Sequence, residues 1–216
     1  MDEYKHLYYQ LNPPAAAIAR QNRTQVMANI TERTELRRRL NCKPFSWFLD
    51  TVWPESFWPT DSRRLVAIQS AVGEEEDGEE GGDCLQRSSA LGSLNPTGKV
   101  ITGRCATADL LFSPQLFTVP PADTPGYIMS DESVCLDVNS STEHSAVLLI
   151  ACAEFDRQRW RYQSTSRQLL HVSSSLCVTL DKGGTFLSLR KCRPAARRQK
   201  WNIHVKQWKK KNEEED

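Results

Sequence analysis

The spacing of apolar residues predicts helices in the first quarter of the chain. Four apolar residues follow the i, i+3, i+4, i+7 rhythm of one helix face: Phe45, Phe48, Leu49 and Val52. This helix should begin after Pro44 and end at Pro54, because proline is excluded from helix interiors. An upstream helix is predicted to begin at Asn29, a candidate N-cap with Glu32 three residues later. Helices this short are not stable alone and must pack on other structure.

After Asp83 the pattern changes to short apolar runs broken by Gly, Pro, Ser and Asn, which is typical of β-strands and turns. A motif recurs there. The second and third copies are Cys135-Leu136-Asp137, Cys152, Gln158-Arg159-Trp160, and Cys177-Val178-Thr179, Cys192, Gln199-Lys200-Trp201. A looser first copy is Cys84-Leu85-Gln86, Cys105, Gln115-Leu116-Phe117. From first cysteine to aromatic, the copies span 33 (117 − 84), 25 (160 − 135) and 24 (201 − 177) residues. The pattern predicts three repeats with a period of about forty residues.

The recurring aromatic and glutamine have a physical explanation. A unit of this size cannot bury its own large aromatic residue, so Phe117, Trp160 and Trp201 are expected to share one core near a three-fold axis. The glutamine two residues earlier is expected to pair backbone groups that would otherwise be buried without hydrogen bonds.

The charge balance excludes some classes of partner. The chain has 28 lysine and arginine residues against 27 aspartate and glutamate residues. Bulk attraction to nucleic acid or a membrane surface is therefore not predicted. The charged runs at 74–80 and 209–216 are interpreted as a linker and a tail. No stretch reaches the ~18 apolar residues that a membrane span needs.

The chain has seven cysteines, and six of them fall as spaced pairs in the three repeats. No Cys-x-x-Cys motif occurs and no histidine stands at metal-ligand spacing, which argues against a zinc site. Paired cysteines without a metal motif indicate an oxidising compartment.

These motifs resemble the Cys-Leu-Asp and Gln-x-Trp motifs of ricin B-type lectins, whose fold is a β-trefoil with one potential sugar pocket per repeat. The block from Cys42 to Glu55 resembles the end of the catalytic domain in polypeptide N-acetylgalactosaminyltransferases, which place such a lectin directly after it. The resemblance implies a mainly β fold, a β-trefoil preceded by a short α-helical remnant of a glycosyltransferase domain.

On this basis four parts are expected: a transferase remnant at 1–59, an acidic linker at 60–82, a trefoil lectin at 83–208 and a charged tail at 209–216. The cysteines should pair within repeats, as Cys84–Cys105, Cys135–Cys152 and Cys177–Cys192. The seventh, Cys42, matches a family cysteine that pairs with one in the catalytic domain; a buried inert thiol is the alternative.

The resemblance also implies a function. The chain is expected to be the carbohydrate-binding lectin portion of a transferase of mucin-type O-glycosylation in the Golgi lumen. Its partners would be GalNAc or a GalNAc-glycopeptide and the missing catalytic domain, without nucleic acid or a membrane span. Two alternatives stay open: the function of the transferase itself, which moves GalNAc from UDP-GalNAc to Ser or Thr, and a scaffold trefoil that binds no sugar.

The transferases use manganese, held by an Asp-x-His motif and another histidine, to neutralise the departing diphosphate of UDP-GalNAc. Neither Asp-x-His nor Asp-x-Asp occurs here, and the four histidines are scattered. We therefore expect no catalytic residue, no metal ligand and no cofactor in this chain, and no transferase activity from it.

Only the second repeat keeps the carboxylate of a family sugar pocket, Asp137, which is expected to accept hydrogen bonds from sugar hydroxyls. Ile150 stands there at the position of the stacking aromatic and Arg157 at that of the usual Asn. The other repeats depart further, at these positions: Gln86, Gly103 and Pro114 in the first and Thr179 and Arg190 in the third. The competing interpretation is that Asp137 caps a turn.

Overall fold

The computed structural model describes residues 4–21, 23–73, 82–88, 98–106, 114–153 and 155–208. The chain divides into two compact units: a helical unit of residues 1–54 and 207–216, and a β unit of residues 55–206. Among the described residues, none of the helices combines the length and the apolar character needed to cross a membrane.

The helical unit has four helices in its described part: α1 (Lys5–Leu11), α2 (Pro13–Gln21), α3 (Arg23–Arg39) and α4 (Phe45–Thr51). Helix α4 follows Pro44 directly, which confirms the helix predicted from the apolar spacing. Its Leu49 is fully buried. Tyr4 packs edge-on against Phe45, with ring centroids 5.4 Å apart, and stacks on Trp208 at 4.8 Å.

The predicted helix start at Asn29 is wrong. Helix α3 begins six residues earlier, at Arg23, and Asn29 lies inside it. Good helix formers such as Gln25, Met27 and Ala28 precede Asn29, so the helical backbone continues upstream of the apparent capping box.

The described part of the β unit forms twelve strands, four in each repeat. Repeat 1 contains β1 (Arg64–Ser70), β2 (Cys84–Arg87), β3 (Gly98–Gly103) and β4 (Leu116–Val119). Repeat 2 contains β5 (Met129–Asp131), β6 (Val134–Val138), β7 (Val147–Ala151) and β8 (Trp160–Gln163). Repeat 3 contains β9 (Gln168–His171), β10 (Leu176–Leu180), β11 (Leu187–Lys191) and β12 (Trp201–Val205). Each set of four strands spans one copy of the sequence motif.

The strand pairing closes into a ring. Strand β1 pairs antiparallel with both β12 and β4, so the last strand of the chain lies beside the first. Each repeat also has a hairpin of its two middle strands: β2–β3, β6–β7 and β10–β11. Every hairpin carries the first cysteine of its repeat. This arrangement is the predicted β-trefoil.

The predicted linker at 60–82 is wrong over its first part. Residues 64–70 form strand β1, so the β unit begins well before Asp83. The first strand of each repeat lies upstream of the first cysteine, and a search anchored on Cys84 could not detect it. The acidic run at 74–80 lies outside the described residues, between β1 and β2 in the sequence.

The three motif aromatics share one hydrophobic core, as predicted. Phe117, Trp160 and Trp201 are each 0% exposed and belong to the same cluster of buried side chains. Each indole N–H also bonds its own repeat: Trp160 Nε1 donates to the carbonyl oxygen of Leu136 (2.9 Å) and Trp201 Nε1 to that of Val178 (3.3 Å). The aromatic therefore ties the last strand of each of these repeats to its hairpin.

Candidate functional site

The glutamine of the Gln-x-aromatic motif organises each repeat. In repeat 2, the side-chain oxygen of Gln158 accepts a hydrogen bond from the backbone N–H of Ala153 (2.7 Å). Its side-chain nitrogen donates to the carbonyl oxygen of Ala151 (3.0 Å) and to Asp137 Oδ2 (2.8 Å). Gln158 thus pairs backbone groups on both sides of Cys152 and also holds the carboxylate of the motif, which confirms its predicted structural role.

The other two repeats reproduce this network residue for residue. The side-chain oxygen of each glutamine accepts a hydrogen bond from the backbone N–H of the residue after the second cysteine. Its side-chain nitrogen donates to the carbonyl oxygen of the residue before that cysteine and to the side chain at the third motif position. For Gln115 these partners are Ala106 N (2.7 Å), Arg104 O (2.7 Å) and Gln86 Oε1 (3.0 Å). For Gln199 they are Arg193 N (2.7 Å), Lys191 O (2.9 Å) and Thr179 Oγ1 (3.0 Å). We call this shared arrangement of the glutamine, the second cysteine and the hairpin the frame. At the third motif position it carries a different side chain in each repeat: Gln86, Asp137 or Thr179.

Three disulfides hold this frame, in the pairing expected from the repeats. They are Cys84–Cys105, Cys135–Cys152 and Cys177–Cys192, with Cα–Cα distances of 4.9, 4.9 and 5.0 Å. In the chain-entropy model, closing a loop of this size contributes roughly 3 kcal/mol. Cys42 is a free, exposed thiol, so the alternative of a buried inert thiol is wrong. Its pairing with a catalytic domain stays a prediction.

Asp137, the predicted sugar ligand, lies at the centre of repeat 2 and is 0% exposed. Its Oδ1 accepts a hydrogen bond from the backbone N–H of Val138 (2.5 Å), and Oδ2 accepts one from Gln158. The Arg157 Nε lies 2.9 Å from Oδ1 and 3.1 Å from Oδ2. Both oxygens therefore have donors within the protein, and a direct bond to a sugar hydroxyl would require Arg157 to move. The expected turn cap is not observed either, because Asp137 lies within strand β6.

Arg157 and Phe155 form the exposed surface above Asp137. The Arg157 side chain is 42% exposed and its guanidinium carbon lies 4.6 Å from the centroid of the Phe155 ring. Phe155 itself is 51% exposed. Only Nε of Arg157 is hydrogen-bonded among the described residues, so its two terminal nitrogens face outward as donors. Phe155 follows the second cysteine, whereas the family pattern places its aromatic before it, and sequence reasoning missed this residue.

His171 supports the same loop from the first strand of repeat 3. It is fully buried, and its Nε2 lies 3.0 Å from the carbonyl oxygen of Arg157 while Nδ1 lies 2.7 Å from Ser174 Oγ. Burial lowers the pKa of the His171 imidazole from its usual value. A neutral ring with its proton on Nε2 donates to the Arg157 carbonyl and accepts from Ser174.

In the described part of repeat 1, the Gln86 side chain covers the corresponding face. The hairpin register places Gln86 opposite Ile101 and Cys84 opposite Gly103. A Cβ atom on Gly103 would lie 2.8 Å from Gln86 Nε2, so the glutamine side chain covers the place where the family has its stacking ring. In repeat 2 the corresponding partners are Ile150, opposite Cys135, and Leu148, opposite Asp137, neither of which is aromatic.

In the described ranges, His, Cys, Asp and Glu side chains form no group of three that could hold a metal ion.

Comparisons with known proteins agree with this architecture. The model of the ricin-type β-trefoil lectin domain matches residues 77–201. The chain is similar to polypeptide N-acetylgalactosaminyltransferase 3 of Drosophila melanogaster, 28% identical over 213 residues, covering 76% of this chain and 31% of that protein. It is also similar to the probable N-acetylgalactosaminyltransferase 6 of Caenorhabditis elegans, 28% identical over 224 residues, covering 96% of this chain and 32% of that protein. The chain thus spans about a third of the length of these curated relatives.

A solved structure shares the fold. The crystal structure of GalNAc-T7 with UDP, GalNAc and Mn²⁺ superposes with a TM-score of 0.52 at 20% sequence identity. The match covers 81% of this chain and 29% of that one. At this identity the likeness supports the fold and says nothing about which residues bind a ligand.

Proposed function

Because this chain belongs to the ricin-type β-trefoil lectin family, we propose that it binds carbohydrate through the surface of repeat 2. The observation that carries the proposal is the group formed by Phe155, Arg157 and Asp137. It combines an exposed aromatic ring, a guanidinium with outward donors and a buried carboxylate that holds the guanidinium in place. We expect the ligand to be GalNAc or a GalNAc-bearing glycopeptide.

The two exposed side chains have complementary roles in this proposal. The free part of the Phe155 ring offers an apolar face on which the C–H face of a pyranose can stack. The terminal nitrogens of Arg157 donate hydrogen bonds to hydroxyl or N-acetyl oxygens of the sugar. With one aromatic contact and one donor group, the affinity for a monosaccharide should be weak.

Asp137 acts in this proposal as a positioning residue. The carboxylate fixes the direction of the Arg157 side chain, and Gln158 and the Val138 N–H fix the carboxylate. The Asp137 carboxylate partly compensates the charge of Arg157. The free-energy cost of displacing water from the guanidinium when a neutral sugar binds should therefore be small.

We place this lectin function within a polypeptide N-acetylgalactosaminyltransferase of mucin-type O-glycosylation in the Golgi lumen. Support comes from the relatives, which are N-acetylgalactosaminyltransferases over most of this chain, and from the disulfides, which suit a secretory compartment. The nucleotide sugar UDP-GalNAc and its manganese ion would be handled by a catalytic domain outside these 216 residues, and Cys42 would pair with a cysteine of that domain.

A scaffold trefoil that binds no sugar is the second candidate. It is favoured by one observation, the complete burial of the Asp137 carboxylate, which leaves repeat 2 without an accessible acidic oxygen. In that case Phe155 and Arg157 would serve only the packing of their loop.

The test is a titration of the chain with GalNAc and with a GalNAc-glycopeptide, followed by NMR shifts of backbone amides. We expect shifts around Phe155 and Arg157, a loss of binding of about tenfold in Phe155→Ala because stacking is removed, and a comparable loss in Arg157→Gln. Phe186→Ala is the matched control, since Phe186 is 49% exposed and has Lys99 Nζ 5.1 Å from its ring centroid.

Each outcome decides between the candidates. Weaker binding in Phe155→Ala but not in Phe186→Ala supports the proposal. Tighter binding in Arg157→Gln would show that the sugar is bound by the Asp137 carboxylate, released from its ion pair, and not by Arg157. No binding by the unchanged chain supports the scaffold.

A further inference from the structure

The outward face of the β10–β11 hairpin in repeat 3 is chemically different from its counterparts. The register places Thr179 opposite Ser188 and Cys177 opposite Arg190. Side chains alternate along each strand, so these four residues share one face, and Leu187 and Leu189 point the other way into the core. Thr179, Ser188 and Arg190 are all partly exposed.

Arg198 adds a second cation, and the Gln199 that follows it donates to the Thr179 hydroxyl. Arg198 directly precedes Gln199, as Arg157 precedes Gln158, and its Nη1 donates to the backbone carbonyl of Asp181. Asp181 lies two residues beyond Thr179, whereas Arg190 lies opposite the residue two positions before Thr179. The Arg198 guanidinium is thus held at the Asp181 end of this hairpin, and Arg190 lies towards its other end.

The two arginines and the Thr179 hydroxyl are held in place by hydrogen bonds. Arg190 Nη1 lies 2.8 Å from His144 Nε2, and the His144 backbone N–H is fixed on the carbonyl of Leu189 (2.8 Å). The Thr179 hydroxyl donates to the carbonyl of Cys177 (3.1 Å) and accepts from Gln199 Nε2 (3.0 Å). The Ser188 hydroxyl has no hydrogen-bond partner in the part of the chain that the structure describes.

Two acidic residues, Asp181 and Glu143, lie near this face. Asp181 Oδ1 accepts the backbone N–H groups of Phe186 (3.0 Å) and Thr185 (2.8 Å) in its own turn, and these bonds, with a smaller contribution from the Arg198 charge, lower the pKa of its carboxyl. Glu143 lies 3.5 Å from the backbone N–H of Lys191. Neither carboxylate makes an ion pair with Arg190 or Arg198 within the described ranges. The position of the Asp137 carboxylate is taken here by Thr179.

We propose that this face of repeat 3 binds an oxyanion carried on a carbohydrate, either a sulfate ester or a carboxylate. Two guanidinium groups and two hydroxyls on one face suit the several acceptor oxygens of such a group, because charge-assisted hydrogen bonds from arginine are strong and directional. The proposal goes beyond the repeat 2 site and depends on different residues, so either can fail alone.

The carbohydrate part of the proposal rests on the position of the face in the trefoil. Thr179, Arg198 and Gln199 occupy the places of Asp137, Arg157 and Gln158 in repeat 2, and Ser188 and Arg190 occupy those of Leu148 and Ile150. A diffuse basic surface would attract any polyanion, whereas this face presents hydroxyls and the Gln199 amide close to the cations, which can also contact the ring hydroxyls of a sugar.

The test is a set of NMR titrations that measure the affinity of the 216-residue chain for four ligands. These are N-acetylglucosamine 6-sulfate, glucuronic acid, neutral N-acetylglucosamine and inorganic sulfate. We expect one or both of the acidic sugars to bind at least about tenfold more tightly than the neutral sugar, with shifts at Thr179 and Ser188. The acidic sugar with the higher affinity identifies the anionic group. Inorganic sulfate binding as tightly as the acidic sugars would overturn carbohydrate recognition.

Two variants locate the site. The double variant Arg190→Gln, Arg198→Gln should lose the preference for acidic sugars. The control double variant Arg193→Gln, Lys200→Gln also loses two positive charges nearby, and it should retain the preference. Thr179→Asp provides a variant that keeps the fold: its carboxylate should pair with Arg198, as Asp137 pairs with Arg157, and abolish binding of the acidic sugar. An equal loss in the control double variant, or unchanged binding in Thr179→Asp, would refute the proposed site.

Discussion

Repeats 2 and 3 share one frame and differ in what the frame presents to solvent. In both, a glutamine pairs the backbone on either side of the second cysteine, a tryptophan bonds the hairpin and an arginine precedes the glutamine. In repeat 2 that arginine pairs with Asp137, whereas in repeat 3 Thr179 offers no charge and Arg198 binds a backbone carbonyl instead. The third motif position therefore carries a charge in repeat 2 and none in repeat 3, while the cysteines, the glutamine and the tryptophan maintain the fold in both.

The largest expected difference between the repeats is in stability. Asp137→Ala removes one of the two acceptors of the Gln158 amide and the partner of Arg157. It should lower the free energy of unfolding by about 2 kcal/mol, less than for a fully buried pair because Arg157 is partly exposed. Thr179→Ala removes one neutral acceptor and should cost about 1 kcal/mol or less. Urea denaturation of both variants measures this. Equal losses would contradict a special role for the carboxylate.

A smaller effect is expected from pH at the contact between the two repeats. The folded-state pKa of His171 is lowered from 6.5 because the ring is buried. Below pH 6.5 the unfolded chain therefore binds a proton that the folded chain binds less well, and stability should fall as the pH drops from 6.5 towards the lowered pKa. Stability above pH 6.5 should be unaffected by this group.

The measurement is thermal unfolding of the unchanged chain and of His171→Gln between pH 7.5 and 5. A glutamine amide can still donate to the Arg157 carbonyl but does not titrate in this range. The fall in the midpoint of the unchanged chain should therefore be steeper than that of the variant. Parallel curves for the two proteins would show that His171 does not contribute.

The sequence predicts the frame well because the frame depends on residue types that recur at fixed spacing. The repeats, the shared core of Phe117, Trp160 and Trp201, and the role of the glutamine all follow from that spacing. The same spacing does not detect strand β1, because this strand contains neither cysteine nor tryptophan and is recognised only by its pairing with β12 and β4.

The candidate site was predicted less well, for a physical reason. The sequence identifies Asp137 as the one carboxylate in its motif position and shows Arg157 in place of asparagine. Whether the two side chains form an ion pair depends on the path of the loop that carries Arg157, which no local pattern encodes. Phe155 was missed for the same reason, since its exposure beside Arg157 arises only from the folded loop.

Replacing Asp137 by threonine tests the central claim most directly, because it gives repeat 2 the residue of repeat 3. Binding of N-acetylglucosamine 6-sulfate to Asp137→Thr would be followed by NMR, with shifts read separately at the two repeats. We predict a new site around Arg157 in addition to the one at Thr179, since the guanidinium loses its carboxylate partner. A folded variant that binds the sulfated sugar only as the unchanged chain does would contradict the claim that this position sets the charge of the pocket.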